Sequence, residues 1–156
     1  MVGGQVQLVA TRLDSPLAAP LVVALERELM VRYDDDGAPG KPLDPDAFAP
    51  PAGAFLVARY DGRPAGCGGL RTVGDGVGEL KRMYVDPAVR GRGVARRLLA
   101  GLEDAGRALG FSRLLLETGT KQPEALALYA SAGWERAEPY GEWRDSPLSV
   151  CFAREL

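Results

Sequence analysis

The sequence contains no histidine and only two cysteines among its 156 residues. Without an imidazole, catalysis by a serine or cysteine nucleophile paired with a histidine base is excluded. A metal site would also lack the commonest metal ligand of proteins. The cysteines, Cys67 and Cys151, have neither the spacing of metal ligands nor that of a disulfide framework. We therefore predict that both are small residues of the core and that the protein binds no metal.

The chain also lacks long apolar runs and a strong excess of either charge. No stretch is apolar over the length that spans a membrane, and the first residues show no basic segment followed by an apolar run. We therefore expect a cytoplasmic protein with no membrane partner. A formal net charge of −2 argues against general binding to nucleic acid. Because 46% of the residues are hydrophobic, we expect a single domain over residues 1–156.

One segment combines an apolar strand, a glycine-rich turn and a helix. The strand Val77–Val85 is stopped by an Asp-Pro pair, and apolar residues recur at helical spacing over residues 94–109. The backbone N–H groups of a first helical turn are unpaired, and glycines let an anion approach them closely. Residues 90–96 therefore predict a diphosphate site, with arginines that add positive charge. The segment does not meet the dinucleotide fingerprint, because Arg96 stands where the third glycine belongs.

Two blocks of this sequence resemble one known family. Arg90-Gly91-Arg92-Gly93-Val94-Ala95 is similar to the R/Q-x-x-G-x-G/A signature of the GNAT superfamily of acyl-CoA N-acyltransferases. Residues 122–134 resemble a second family segment, N-x-x-A-x-x-L-Y-x-x-x-G-F. The resemblance covers about residues 54–134. It implies an α/β fold of GNAT type, in which a mixed, mostly antiparallel central sheet of about six to seven strands is flanked by helices.

The resemblance also implies the reaction and the cofactor. An acetyl group would pass from acetyl-CoA to a primary amine by direct attack in a ternary complex, with no metal. In this family, a bulge in the strand before the turn exposes peptide groups to the pantetheine arm. The implied cofactor contacts are the main chain near Met83, Tyr84 and Val85, the turn residues Arg90, Gly91, Arg92, Gly93, Val94, Ala95 and Arg96, and Gln122, which replaces the usual asparagine.

Two residues are candidates for proton transfer. Glu79 opens the strand before the turn, and some family members use a glutamate at this position as general base, which an ammonium acceptor requires at neutral pH. Tyr129 matches the tyrosine of the second block and would donate a proton to the leaving thiolate. Each residue also has a purely structural interpretation: Glu79 as a polar residue at a strand entry, and Tyr129 as a core tyrosine at helical spacing.

The remaining elements follow from periodicity and turn residues. A connection over residues 34–53 holds at most a short helix, and its Asp34-Asp35-Asp36 triplet is either a solvated turn or an attraction for a cationic amine. Asp61-Gly62 predicts a hairpin. We predict strands over residues 5–10, 54–60, 64–73, 113–118, 134–137 and 149–155, with 113–118 parallel to Val77–Val85, and helices over residues 17–33 and 122–132.

Other classes of function stay open at this point. A non-catalytic module that senses acyl-CoA would keep the glycine-rich turn without needing Glu79 or Tyr129. A small nucleic-acid-binding protein would use the arginines of residues 90–97 on phosphates. The identity of the acceptor, a small-molecule or peptide amine, does not follow from the sequence. The oligomeric state, including a homodimer, is equally open.

Overall fold

A computed structural model describes residues 4–33 and 42–156 of the chain. Within them, seven strands form one sheet in the order β1-β2-β3-β4-β5-β7-β6. The strands are β1 Val6–Ala10, β2 Gly53–Tyr60, β3 Arg63–Gly74, β4 Val77–Val85, β5 Arg113–Gly119, β6 Glu135–Ala137 and β7 Ser149–Glu155, and the helices are α1 Ala19–Arg32, α2 Val94–Ala108 and α3 Pro123–Ser131. The predicted fold class, a mixed and mostly antiparallel sheet flanked by helices, is confirmed.

One pair of strands in this sheet is parallel. β4 pairs with β5 from Val77 opposite Arg113 to Leu80 opposite Leu116, and all other neighbours pair antiparallel. A parallel pair needs a crossover, and α2 supplies it between β4 and β5. The predicted parallel pairing is therefore confirmed. The pairing stops at Leu80 although β4 runs on to Val85.

The local turn signals hold with small shifts of the element ends. Asp61 and Gly62 both have positive φ, +50° and +82°, at the tip of the β2–β3 hairpin, as a two-residue turn of this type requires. The first helix begins at Ala19, two residues later than predicted at residue 17. The reason is a preceding turn, in which the Ser15 hydroxyl accepts a hydrogen bond from the N–H of Ala18.

The sheet is covered on both faces. On one face α2 packs on β1 to β4, and the buried side chains there include Leu80, Leu98 and Leu116. On the other face α1 and the short helical turn Pro45–Phe48 cover β2, β3 and β4. Both cysteines are buried, as predicted. The loop between β6 and β7 reaches β4 beside this part of the sheet, because Tyr140 contacts Glu79 and Trp143 contacts Lys81.

The acidic triplet at residues 34–36 lies outside the described residues, so the prediction that it attracts an amine stays a prediction. In the two described ranges, no helix is long and apolar enough to cross a membrane. The same residues contain no group of three or more cysteine, aspartate or glutamate side chains arranged to hold a metal ion.

Candidate active site

A cavity of about 670 Å³ opens where β4 and β5 separate. α1 closes one side of it and α3 the other. Most of the site residues predicted from the sequence line this cavity, and Arg92 and Gly93 do not. The lining residues used below are Glu28, Glu79, Lys81, Arg82, Met83, Tyr84, Val85, Arg90, Gly91, Val94, Ala95, Arg96, Glu117, Gln122, Tyr129, Ser131 and Trp143.

A β-bulge in β4 shapes the middle of the cavity. Tyr84 lies opposite Cys67, and Lys81 lies opposite Gly69. Between these two pairs β4 has two residues, 82 and 83, where β3 has one, residue 68. Arg82 sits at the bulge with a φ of +58°. Such a bulge bends and twists its strand. The edge of β4 from residue 81 to 85 consequently faces the cavity without a strand partner on the β5 side, and the backbone of Met83, Tyr84 and Val85 lines the cavity there, with the Val85 carbonyl taken by Arg90.

The glycine-rich turn fits a diphosphate. Gly91 and Gly93 have φ of +80° and +83°, and a Cβ added at either glycine would meet no atom within 4 Å. In the described part of the chain, the backbone N–H groups of residues 91–96 donate to no acceptor, whereas the next amide, that of Arg97, bonds to the carbonyl of Gly93. A run of unpaired amides at a helix N-terminus is a binding site for anions.

The arginines of this turn are used in different ways. Arg90 Nε donates to the carbonyl of Val85 at 2.8 Å, and its Nη2 donates to Glu28 Oε1 at 2.7 Å. Arg92 stacks on the ring of Tyr60, outside the cavity. Arg96 lies on the cavity wall and donates to the Ser131 hydroxyl. The Arg90 side chain thus ties the turn to β4 and α1, and Arg96 is the arginine of the three placed beside the unpaired amides.

Tyr129 is buried at the bottom of the cavity, with 4% of its surface exposed. Its ring packs against Trp134 and Phe152 at centroid distances of 5.7 Å. Burial raises the pKa of its phenol above the ordinary value of 10, so the hydroxyl stays protonated at neutral pH. Among the described residues this hydroxyl has no hydrogen-bond partner. Tyr129 therefore packs in the core and at the same time presents a protonated hydroxyl to the cavity, so both interpretations of this residue are compatible with the structure.

Glu79 is held by two neighbours. The Arg71 guanidinium donates to its Oε1 from Nε at 2.9 Å and lies 2.8 Å away through Nη2. The Tyr140 hydroxyl donates to its Oε2 at 2.5 Å. Only 2% of Glu79 is exposed. Both carboxylate oxygens are thus engaged, although the residue lines the cavity as the general-base prediction requires.

A second carboxylate, Glu117 on β5, was missed by the sequence reasoning. It lines the same cavity, and burial raises the pKa of its carboxyl to about 6, while the Ser149 side chain and the charge of Lys81 act in the opposite direction. Burial also lowers the pKa of Lys81, whose ammonium lies 5.3 Å from the centroid of the Trp143 ring. The sequence signal that could have found Glu117 is a carboxylate directly after the apolar run of residues 114–116 in this strand.

Gln122 precedes the first turn of α3 and lines the cavity. Its carboxamide nitrogen lies 3.4 Å from the Tyr33 hydroxyl, which belongs to the end of α1. An ion pair between Arg32 and Glu124 joins the same two helices. The glutamine is therefore placed to contact a ligand in the cavity and, at the same time, helps to hold α1 against α3.

Comparison with solved structures gives the class of protein. A protein from Klebsiella pneumoniae assigned to the acyl-CoA N-acyltransferases superimposes with a TM-score of 0.82 at 29% identity, over 97% of this chain and 98% of that one. A GNAT family acetyltransferase from Elizabethkingia anophelis with acetyl-CoA bound has the same fold, with a TM-score of 0.67 at 16% identity over 97% of this chain and 98% of that one.

The sequence comparisons name the family. The model of the acetyltransferase (GNAT) family matches residues 22–134, and the chain belongs to this family of acetyl-CoA-dependent N-acetyltransferases. An IAA acetyltransferase from Azospirillum brasilense is 40% identical over 92% of this chain and 95% of its own length. The N-alpha-acetyltransferase RimI of Mycobacterium tuberculosis is 35% identical over 81% of this chain and 75% of its own.

Proposed function

We propose that this enzyme transfers an acetyl group from acetyl-CoA to a primary amine by direct attack in a ternary complex. One observation supports the proposal most strongly: a single cavity joins the unpaired amides beside Gly91 to a buried phenol and to two carboxylates, Glu79 and Glu117. A direct transfer needs an anion site for the cofactor, a proton acceptor for the amine and a proton donor for the sulfur within one space.

The cofactor would be held mainly by backbone. The amides of residues 91–96 would receive the diphosphate, with Arg96 beside it, and the unpaired edge of β4 at Met83, Tyr84 and Val85 would receive the pantetheine amides. When bound, acetyl-CoA supplies a thioester carbonyl as the electrophile. Because the β4 edge lines the cavity without a strand partner, its unpaired backbone groups would orient this arm and polarise its carbonyl.

The proton of the attacking amine would go to Glu117. A general base works best when its pKa lies near the working pH, and burial places the pKa of Glu117 at about 6. The same requirement makes Glu79 the weaker choice, because Arg71 and Tyr140 already occupy its two oxygens. We assign Glu79 the role of holding Tyr140, and with it the loop between β6 and β7, over the amine.

Tyr129 would complete the proton transfers. As the amine nitrogen bonds to the carbonyl carbon and the C–S bond breaks, the sulfur takes the electron pair of that bond and the phenol proton of Tyr129. The phenol is available for this step because its burial keeps it protonated at neutral pH. An ammonium acceptor loses two protons in the reaction. Glu117 passes the first to solvent, and the second, released as the amide forms, replaces the proton that Tyr129 gave to the sulfur.

The test has two stages. In the first, thermal unfolding is measured with and without saturating acetyl-CoA, with NADH and ATP as controls. A ligand at about a hundredfold its Kd stabilises by about 2.7 kcal/mol, or roughly 5–10 °C at this size. In the second stage, thiol release is followed with a panel of amines. The proposal is supported if only acetyl-CoA raises the unfolding temperature and if the rate of thiol release depends on the amine. A rate of thiol release that is the same with and without amine contradicts it.

A further inference from the structure

Arg82 occupies an unusual position on the cavity wall. Its φ of +58° lies in the left-handed region, which a non-glycine residue adopts at a cost. The bulge in β4 imposes this conformation and turns residue 82 toward α1, where Glu26 lies. Backbone strain of this kind concentrates at functional sites, where the surrounding fold maintains it.

The guanidinium of Arg82 is partly buried, and it pairs with Glu26 by charge without a hydrogen bond. Its side chain is 17% exposed, and the nearest carboxylate oxygen, Oε1 of Glu26, lies 3.8 Å from Nε. Nε is fully buried and makes no hydrogen bond. Nη1 and Nη2 also donate to no acceptor anywhere in residues 4–33 or 42–156. Burial lowers the pKa of this guanidinium, but an arginine stays charged at neutral pH. A largely desolvated cation whose paired carboxylate lies 3.8 Å away gains from a closer acceptor, and a ligand in the cavity would supply one.

Other arginines around the cavity are satisfied by the protein. Arg71 donates one hydrogen bond to Glu79 and forms an ion pair with it, Arg90 donates to Glu28 and to the carbonyl of Val85, and Arg96 donates to Ser131. Arg82 therefore differs from them, because its guanidinium N–H groups remain available to a ligand. It is also remote in sequence from the diphosphate turn, and it lies in the stretch of β4 that carries Lys81 and Glu79.

We propose that Arg82 binds a carboxylate on the acceptor, so that the substrate of this enzyme is a small amine that carries a carboxylate. The proposal rests on the transfer to an amine proposed above. A guanidinium and a carboxylate form two parallel hydrogen bonds, which would satisfy the donors of Arg82 and orient the amine toward the reacting carbonyl. Lys81, next in sequence, adds positive charge to the same wall.

A carboxylate fits this wall better than a dianion. Glu26 lies 3.8 Å from Arg82, and Glu117 lines the same cavity. These negative charges would repel a phosphate or phosphonate, which carries close to two charges at neutral pH. A single negative charge at Arg82, with the ammonium of the acceptor near Glu117, matches both signs of charge that the cavity presents.

The experiment compares amines in matched pairs, each an amino acid and its own carboxamide: glycine and glycinamide, alanine and alaninamide, 4-aminobutanoate and 4-aminobutanamide. Thiol release from acetyl-CoA gives kcat/KM for every member. The wild-type enzyme should favour the acid over the amide by about 10- to 100-fold in at least one pair, because loss of a charged hydrogen-bond partner costs that much. An α-amino amide has the less basic amine, so intrinsic reactivity favours the opposite result.

Three variants assign the preference to a residue. Arg82→Met should lower kcat/KM for the preferred acid by about the same 10- to 100-fold and leave its amide unchanged, while Arg82→Lys should retain part of the preference. Arg59→Met is the matched control, because Nε of Arg59 is likewise buried without a partner but the residue does not line the cavity. It should leave both rates unchanged.

The outcomes separate the inference from the proposed function. Amine acetylation without a preference for acids, or an equal loss on acid and amide in Arg82→Met, would overturn the role of Arg82 while leaving the transferase reaction standing. A preference for phosphonate analogues over the acids would overturn the choice of carboxylate. Absence of transfer to every amine, with a stable acetyl-CoA complex, would overturn the proposed reaction and this inference with it.

Discussion

The two ends of the cavity are built from different parts of the protein. The end where we propose that the cofactor binds, called the cofactor end and defined as residues 91–96 with the β4 edge at residues 83–85, consists of backbone from one segment of the chain. The end where we propose that the amine binds, called the acceptor end and defined as Glu79, Lys81, Arg82, Glu117 and Trp143, consists of side chains from β4, β5 and the loop before β7. The first is a local structure, and the second exists only after the sheet has formed.

This difference explains how one fold serves many acceptors. A backbone N–H group has the same chemistry whatever side chain it carries, so the cofactor end needs only the turn geometry and its two glycines at positive φ. The acceptor end changes its charge and shape with every substitution. Substitutions at the cofactor end should therefore act on acetyl-CoA binding, and those at the acceptor end on the amine and on proton transfer.

The largest effect is expected at the acceptor end, for Glu117→Gln. Removing a general base lowers kcat/KM by about 1,000-fold, within the range known for such groups. The pH profile gives the sharper test. Burial raises the pKa of Glu117 to about 6, so the base form exists above that pH, and wild-type activity should fall as the pH drops through 6. Glu117→Gln should lose this acid limb while the Kd of acetyl-CoA stays constant.

Ser149→Ala serves as the control for that prediction. The Ser149 side chain favours the charged form of Glu117, so its removal should move the acid limb to a higher pH without abolishing activity. An acid limb that persists in Glu117→Gln would assign the ionisation near pH 6 to another group.

The next effect is expected for Tyr129→Phe, between the two ends. Loss of the phenol proton should lower kcat by about 100-fold, because the thiolate then leaves without a donor. The phenol has no partner among the described residues, and phenylalanine preserves the packing on Trp134 and Phe152, so stability should change little. Steady-state kinetics together with thermal unfolding measure both quantities. A KM effect on acetyl-CoA without a kcat effect would instead make Tyr129 part of the cofactor end.

The same division describes what could be predicted from the sequence. The strand, turn and helix around Gly91 and Gly93 depend on neighbours in the chain, so their pattern was sufficient to predict these elements, while the diphosphate site at the turn stays a prediction. The partners of Glu79 come from β3 and from Tyr140, sixty-one positions away. Its engagement depends on sheet register and on a loop, which no local pattern encodes.

Besides the partners of Glu79, the sequence did not reveal how deeply each charged side chain is buried. Glu117 differs from a solvated strand glutamate only through the elements that cover it, and these are distant in sequence. Arg90 shows the same effect. The motif predicts that this arginine contacts the diphosphate, whereas in the structure its guanidinium contacts Glu28 of α1. The direct contact of the Arg90 side chain with the cofactor stays a prediction.

At the cofactor end, Gly91→Leu should weaken acetyl-CoA binding by about tenfold. Gly62→Leu is the matched control, since both glycines have φ near +80° and neither has an atom within 4 Å of an added Cβ. Each variant bears the same backbone strain, about 1–2 kcal/mol, so both should lose similar thermal stability. Only the leucine at residue 91 would cover the unpaired amides. Equal Kd values in a titration of both variants would place the diphosphate elsewhere.

The smallest effect on the rate is expected for Glu79→Gln, which tests the base assignment most directly. Glutamine keeps one acceptor for Arg71 or Tyr140, so the side chain stays in place while its charge is lost. We expect a decrease of kcat/KM below about fivefold and an unchanged acid limb, since the base at Glu117 is intact. The buried ion pair with Arg71 is lost, and the free energy of unfolding should fall by about 1–3 kcal/mol. A thousandfold loss of kcat/KM with unchanged stability would instead make Glu79 the base, and the engaged carboxylate would then have to exchange Tyr140 for the amine during each turnover.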